Sequence, residues 1–328
     1  MNLMNATKAL AAYLDADIPV FLWGAPGVGK SDTVRQIAND RDIPMIDFRA
    51  ILRDPVDLRG LPSVNGDTAK WLAPDDLPRA DRDGEEGIFF MDELNAAPAS
   101  VQAACFGLVL DRKVGEYRLP EGWRIIAAGN RQADRAAAQR MPTALANRFA
   151  HIDIEPDVES FSAWAFKNNV DPMVVAFVRF RSGLLHNMEG NDLRAFPTPR
   201  AWSQVAKIAN APEALRLSLV TGLVGEGAAA EFEGFVRVYK DLPSLDLVLA
   251  NPTGAPLVKD PAAKYAISAG LARKVDRKTF GAAMAYTSRI SREFNIMMVI
   301  DAVRRDPGLS HTQAFTTWAT ENQDVTLN

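Results

Sequence analysis

The sequence predicts an α/β domain with a parallel five-stranded sheet flanked by helices, followed by a region made only of helices. Three observations lead to this fold class. Gly24–Ser31 lies between an apolar run and a helix-compatible run, and it fits the glycine-rich phosphate-loop pattern that ends in Lys-Ser. Strand-like and helix-like segments alternate as far as Ile154, as they do where crossover helices join parallel strands. From Val158 onward the pattern indicates helices alone.

Five apolar segments are the predicted strands: Ile18–Trp23, Met45–Phe48, Ile88–Glu93, Trp123–Ala128 and His151–Ile154. The third segment is apolar without alternation, which is typical of a strand buried on both faces of a parallel sheet. Two hairpins are expected between strands, one at Leu61–Leu72 around Asn65-Gly66 and one at Lys113–Leu119 around Gly115. Trp71 in the first hairpin is expected either in the core or at a surface for a pore or partner.

The composition excludes some classes of protein. A chain of 328 residues with 48% apolar and 24% charged residues has the balance of an ordinary globular protein. The net charge of -4 argues against a general nucleic-acid coat. Cys105 is the single cysteine, so no internal disulfide forms, and we expect its thiol to be buried. Because no apolar stretch reaches the ~18 residues that span a bilayer, and Met1–Leu14 lacks the features of a signal peptide, a cytoplasmic location is expected.

The phosphate loop is predicted to hold the phosphates of a nucleotide. Its glycines let backbone N–H groups point at phosphate oxygens, and the helix that follows adds its positive N-terminal end. The side chain of Lys30 is expected to reach the β- and γ-phosphates, and the hydroxyl of Ser31 to ligate Mg²⁺. The predicted binding residues are Gly24, Ala25, Pro26, Gly27, Val28, Gly29, Lys30 and Ser31. A glycine-rich turn without a ligand is the alternative, and the match at every fixed position argues against it.

Two carboxylates end the third predicted strand. Asp92 is expected to hold Mg²⁺ through its water shell, which makes Ser31 and Asp92 the predicted metal site. Glu93 is placed to polarise a water molecule for attack on the γ-phosphate. Two solvated acids at a strand end are the alternative, and the phosphate loop upstream favours the catalytic interpretation.

Three more polar residues are candidate catalytic groups. Asn130 follows the fourth strand, where ligands bind in open α/β sheets, so its amide is placed to orient the attacking water. Arg148 ends a short helix and is predicted to reach a neighbouring subunit's nucleotide, with Arg135 and Arg140 as competing candidates. Arg200 opens a helix, where a cation is poorly placed for the helix dipole, so a ligand contact is expected. A turn-forming role for Asn130 and a helix-capping role for Arg148 stay open.

Together these segments resemble the AAA+ ATPases. The elements that look like Walker A, Walker B, sensor 1, the arginine finger and sensor 2 are Gly24–Ser31, Ile88–Glu93, Asn130, Asn147-Arg148-Phe149 and Thr198-Pro199-Arg200. The two hairpins resemble the helix-2 insert and the pre-sensor-1 insert of one AAA+ branch. Within that branch, Asp54–Pro62 and Ala146–Phe149 look most like the MoxR group.

The resemblance covers about residues 1–240 and implies Mg²⁺-dependent hydrolysis of ATP in a homo-oligomeric ring, usually hexameric. Nucleotide would lie at subunit interfaces, with Arg148 acting in trans. The family is thought to remodel or activate partner proteins, often with a von Willebrand factor A-domain protein. The implied domains are a nucleotide-binding domain at 1–156, a helical lid at 157–250 and a helical C-terminal extension at 251–328.

Three other functions remain as alternatives. A nucleic-acid-directed motor would use the basic run Arg273–Lys278, although a solvated helix face explains that run better, and nucleic acid is not an expected partner. A small-molecule kinase would share the phosphate loop, but Asp92-Glu93, the two hairpins and the helical region argue against it. Hydrolysis of GTP instead of ATP also stays open as an alternative, because no motif in the sequence specifies the nucleobase.

Overall fold

The computed structural model describes residues 1–65, 67–134, 139, 141–188 and 194–325. It divides into two compact units, Met1–Glu155 and Pro156–Asn328. No helix in the part of the chain that it describes is both long enough and apolar enough to cross a membrane. The finer division of the second unit at residue 250 stays a prediction.

The first unit contains nine strands among its described residues: β1 (Val20–Trp23), β2 (Met45–Arg49), β3 (Leu61–Asn65), β4 (Thr68–Leu72), β5 (Glu86–Asp92), β6 (Lys113–Val114), β7 (Tyr117–Arg118), β8 (Gly122–Gly129) and β9 (Ala150–Asp153). Its α-helices are α1 (Leu3–Asp15), α2 (Lys30–Asp40), α3 (Val56–Arg59), α4 (Ala80–Asp83), α5 (Ala99–Asp111) and α6 (Thr143–Ala146). The main sheet has five strands in the order β2-β5-β8-β1-β9. All four neighbouring pairs are parallel, so the carboxyl ends of the strands meet at one edge.

The interior of the sheet follows from the apolar runs. Ile88, Phe89, Phe90 and Met91 on β5 are fully buried, which is the burial expected for a central parallel strand. The predicted α/β fold with a parallel five-stranded sheet and a helical region after it is confirmed. The first strand starts at Val20 and not at the predicted Ile18, because its pairing with β8 and β9 begins at Val20.

Each of the two hairpins forms a separate two-stranded antiparallel sheet, β3-β4 and β6-β7. The β3-β4 hairpin exposes large apolar side chains, with Val64 82% exposed and Leu61 and Leu72 more than half exposed. Trp71 is 37% exposed, and the guanidinium of Arg59 lies 5.8 Å from its ring centroid. This hairpin therefore contributes little to the core, and Gly66 in its turn lies outside the described residues.

The described part of the second unit is entirely helical: α7 (Val158–Lys167), α8 (Pro172–Phe180), α9 (Pro199–Ile208), α10 (Glu213–Val224), α11 (Glu226–Lys240), α12 (Leu245–Ala250), α13 (Pro261–Lys274), α14 (Phe280–Ile290), α15 (Arg292–Arg305) and α16 (Gln313–Glu321). An aromatic cluster of Phe177, Trp202 and Phe232 joins α8, α9 and α11. Proline at a first helical position and a side-chain cap start α9, where Thr198 accepts the N–H of Ala201 at 3.0 Å.

Candidate functional site

The backbone of the loop between β1 and α2 requires glycine at several positions. Gly27 and Gly29 have φ angles of +76° and +98°, in the left-handed region that side chains disfavour. At Gly24 an added Cβ would lie 3.0 Å from the carbonyl oxygen of Ile154, so a residue without a side chain fits best. Gly29 is the N-cap of α2, and Lys30 is the first residue of that helix. The loop therefore has the tightly curved backbone that the phosphate-loop pattern predicts.

Lys30 is buried inside this curl. Its ammonium donates hydrogen bonds to the carbonyl oxygens of Gly24 at 2.6 Å and Ala25 at 3.2 Å. It also donates to the side-chain oxygen of Asn130 at 2.9 Å. The structure thus brings together the loop lysine and the amide predicted to orient water, although 100 residues separate them in the chain.

Ser31 and Asp92, the two predicted metal ligands, are in direct contact. The Ser31 hydroxyl donates to Asp92 Oδ2 at 2.8 Å, and Asp92 Oδ1 accepts the N–H of Glu93 at 3.0 Å. Mg²⁺ is commonly held by one or two carboxylates together with substrate phosphates, so this hydroxyl and carboxylate fit the ion. Across the described chain, no group of three or more His, Cys, Asp or Glu forms a separate metal-binding cluster.

Glu93 follows directly in a left-handed conformation, with φ +54° and ψ +33°. This region is uncommon for a residue other than glycine, and such backbone geometry is concentrated at functional sites. The residue is exposed at the edge of the sheet where β5 ends. Its exposure leaves the carboxylate accessible to water, as a general base requires.

Two residues near this edge were missed by the sequence analysis. Asp47 on β2 has a pKa raised by burial and by the neighbouring charge of Asp92, and its Oδ1 has no hydrogen-bond partner among the described residues. An acid inside an apolar strand was the available signal. Asn95 is almost completely buried just after Glu93, and its side chain contacts the backbone of Asn130. An asparagine in a turn gives no comparable signal.

The candidate arginines lie apart from this hydrogen-bonded group. Arg148 is exposed just after α6, and its side chain makes no hydrogen bond or ion pair with any described residue. Arg200 belongs to the second unit and is exposed in the first turn of α9, and its guanidinium likewise makes no hydrogen bond or ion pair with a described residue. Arg135 and Arg140 lie outside the described residues. The structure therefore joins Lys30 with Asn130 and Ser31 with Asp92, and it leaves the arginines as predictions.

Comparison with known proteins shows which domain family the first unit is similar to. Residues 19–149 match the model of the AAA domain family, dynein-related subfamily. No curated protein sequence matches the chain. Similar solved structures include NtrX from Brucella abortus in complex with ATP, at 14% identity and a TM-score of 0.43, covering 98% of this chain and 68% of that one. Another is a single-residue mutant of RuvB from Thermotoga maritima, at 16% identity and a TM-score of 0.43, covering 90% and 88%.

A further structure of NtrX, at 16% identity and a TM-score of 0.40, covers 94% of this chain, which spans only 64% of the NtrX chain. Scores of this size carry no inference about function. The family match, by contrast, spans the phosphate loop, Asp92-Glu93, Asn130 and Arg148. Residues 19–149 are therefore similar to an AAA domain, and this match supports ATP hydrolysis as the activity of the chain.

Proposed function

We propose that this chain is a MoxR-like AAA+ ATPase that works in a homo-oligomeric ring, hexameric by resemblance, and uses Mg²⁺-dependent ATP hydrolysis to remodel or activate a partner protein. The observation that supports the hydrolytic part best is the contact of Lys30 with Asn130 beside the Ser31–Asp92 pair. These groups come from the ends of β5 and β8 and the start of α2, and they meet at the edge where open α/β sheets bind ligands.

Each group has a distinct role in this proposal. Lys30 exchanges its carbonyl partners for the β- and γ-phosphate oxygens, which offer stronger, charge-assisted hydrogen bonds. Ser31 and Asp92 hold Mg²⁺, which supplies neutralisation of the phosphate charge. Glu93 accepts the proton of a water molecule as the water oxygen bonds to the γ-phosphorus, and the bond to the ADP oxygen breaks. The Asn130 amide orients that water.

The arginines complete the site in this proposal. Arg148 reaches the γ-phosphate of the adjacent subunit and stabilises the charge that develops there during transfer. Arg200 is the proposed sensor-2 residue and contacts nucleotide. Their exposed guanidinium groups support these roles, since neither is engaged by the described parts of its own chain.

The β3-β4 hairpin is the proposed contact with a pore or partner. Leu61, Val64 and Leu72 project apolar surface that the first unit itself does not cover. Exposed apolar surface of this kind often marks a protein interaction site. A von Willebrand factor A-domain protein is the partner that the MoxR resemblance suggests. The cytoplasmic location stays a prediction.

A Glu93→Gln substitution tests the hydrolytic proposal. We expect the variant to bind ATP like the wild type but to release inorganic phosphate at least about 10²-fold more slowly, because only the base is lost. Phosphate release with no added acceptor, and nucleotide affinity, are the two measurements. Glu121→Gln is the matched control, since Glu121 is another exposed acid of the same unit.

Normal turnover by Glu93→Gln would show that Glu93 is not the base. Phosphate transfer that requires an added acceptor would favour the kinase alternative. Repeating the assay with GTP in place of ATP shows whether the protein prefers adenine or guanine nucleotides.

A further inference from the structure

Asn95 occupies an unusual position for an amide side chain. It lies in the one-turn 3-10 helix Leu94–Ala96 that follows Glu93, and it is 1% exposed. Burying an amide costs free energy unless it is hydrogen-bonded, and of the two polar atoms of this side chain the Nδ2 is bonded, whereas the Oδ1 has no partner among the described residues. Its Nδ2 donates to the carbonyl oxygen of Asn130 at 2.7 Å, and its own backbone carbonyl accepts the N–H of Gln139 at 2.8 Å. Asn95 therefore fastens the end of β8 to the turn after β5.

Gly129 shows how closely the two segments approach. A Cβ added there would lie 2.0 Å from Asn95 Oδ1 and 2.9 Å from the ring of Phe21. Only glycine leaves room for the amide at this distance. The side chain of Asn95 thus rests against Gly129 while it bonds to the next residue, which fixes the path of the backbone that carries Asn130.

This contact continues into the phosphate loop. Asn95 bonds to the backbone carbonyl of Asn130, and the side chain of Asn130 in turn accepts a hydrogen bond from Lys30 at 2.9 Å. Glu93 lies only two residues before Asn95 and is the N-cap of the same turn. One buried amide therefore sets the spacing between the residue proposed as base and the residue proposed to orient the water.

We propose that Asn95 is a positioning residue for ATP hydrolysis that acts through Asn130. This inference rests on the proposed function, because it concerns the same site. A displacement of about 1 Å in a reacting group can cost about 10²-fold in rate. Loss of the Asn95 hydrogen bond frees the backbone of Asn130 to move, so the chemical step slows while the phosphate loop still binds nucleotide.

The test uses Asn95→Asp in the chain of 328 residues, because aspartate has the same shape but presents an oxygen that does not donate to the Asn130 carbonyl. We expect kcat for phosphate release to fall about 10²-fold while nucleotide affinity changes little. Gln102→Glu is the matched control. Gln102 is also 1% exposed, its Nε2 donates to the carbonyl of Ala97 at 3.0 Å, and its side chain makes no described hydrogen bond with Asn130.

Two further measurements separate positioning from general stability. In an Asn130→Ala background, Asn95→Asp should lower kcat by less than about threefold, since residues that act as a unit are strongly non-additive. Without nucleotide, amide hydrogen exchange in 127–131 should be faster in Asn95→Asp than in Gln102→Glu. This second measurement tests the link even if the wild type hydrolyses no ATP, an outcome that would contradict the proposed function alone.

The proposal is overturned if Asn95→Asp keeps the wild-type kcat, if Gln102→Glu loses as much, or if exchange in 127–131 is the same in both variants. A full additional loss in the Asn130→Ala background would also overturn it. Should Asn95→Asp fail to fold, Asn95→Ala replaces it in every comparison, because it removes the donor without adding a charge.

Discussion

The arginines inside the helical unit differ from those exposed at element ends. Arg179 on α8 meets Asp301 on α15 through both carboxylate oxygens, and both side chains are buried. Arg216 meets Glu233 in the same bidentate way. Arg148, by contrast, is exposed and engages none of the described side chains.

Buried and exposed arginine side chains therefore serve two different purposes in this protein. A guanidinium matched by a buried carboxylate is committed to its own chain, where it joins two helices. An exposed guanidinium keeps its five N–H donors for a carboxylate or phosphate that comes from elsewhere. We therefore expect that substitutions in a buried arginine–carboxylate pair lower the stability of the fold. Substitutions of an exposed arginine should instead lower the activity.

The largest expected effect is that of Arg148→Ala on hydrolysis. An arginine that stabilises the transferring phosphoryl group is worth about 10³–10⁵ in rate, so phosphate release should fall by that factor. Nucleotide affinity and melting temperature should stay at wild-type values, because Lys30 is intact and the Arg148 side chain makes no hydrogen bond or ion pair with a described residue.

Mixing variants tests whether Arg148 acts across an interface. Arg148→Ala subunits and Lys30→Ala subunits are each expected to be inactive alone. A Lys30→Ala neighbour still offers Arg148 to a subunit with an intact Lys30, so mixed rings should regain part of the activity. Inert mixtures in which mixed rings are demonstrated would place Arg148 within its own site, and Arg140 would be tested next.

Asp301→Ala tests the other side of the comparison. Removing one partner of a buried pair leaves Arg179 with an uncompensated charge and should lower the free energy of unfolding by about 3–5 kcal/mol. Urea unfolding measures this loss. Asp324→Ala, which breaks the exposed Arg292–Asp324 pair, is the control and should change little. Equal losses in the two variants would show that burial does not decide the effect.

Glu233 should give a smaller, pH-dependent effect. The hydrogen bond from Arg216 lowers the pKa of this carboxyl below its ordinary 4.5. A lowered pKa in the folded state stabilises the fold above the ordinary value, and this contribution disappears as the pH falls through the lowered one. The difference in melting temperature between wild type and Glu233→Gln should therefore narrow below pH 4.5. A constant difference would contradict the pairing.

The smallest expected effect on stability and basal turnover is that of replacing Ser63–Lys70 with a short glycine-serine turn. Because the β3-β4 hairpin exposes its apolar residues, its loss should leave basal ATP turnover and the melting temperature unchanged while abolishing work on a client. Both basal quantities can be measured without a client. Failure of the variant to fold would instead show that Trp71 serves the core.

The fold was predictable because its signals are local. The phosphate loop and the apolar runs fix strand ends, and parallel strands bring those ends to one edge, which places Lys30 near Asn130. The Arg179–Asp301 pair was not predictable, since its partners lie 122 residues apart and neither stands in a motif. Asn95 was missed for a similar reason. Its role depends on how close a turn lies to Gly129, which no spacing in the sequence reveals.

Cys105 has a practical consequence for fluorescent labelling of this protein. Its thiol lies fully buried in α5, and burial raises the pKa of that thiol to about 12. Because the thiolate is the reactive form, this single cysteine should be inert to maleimide dyes in the native protein. A cysteine introduced at Val64 or beside Arg148 would then carry the fluorophore alone, so hairpin and finger can be followed by fluorescence without first removing a native thiol.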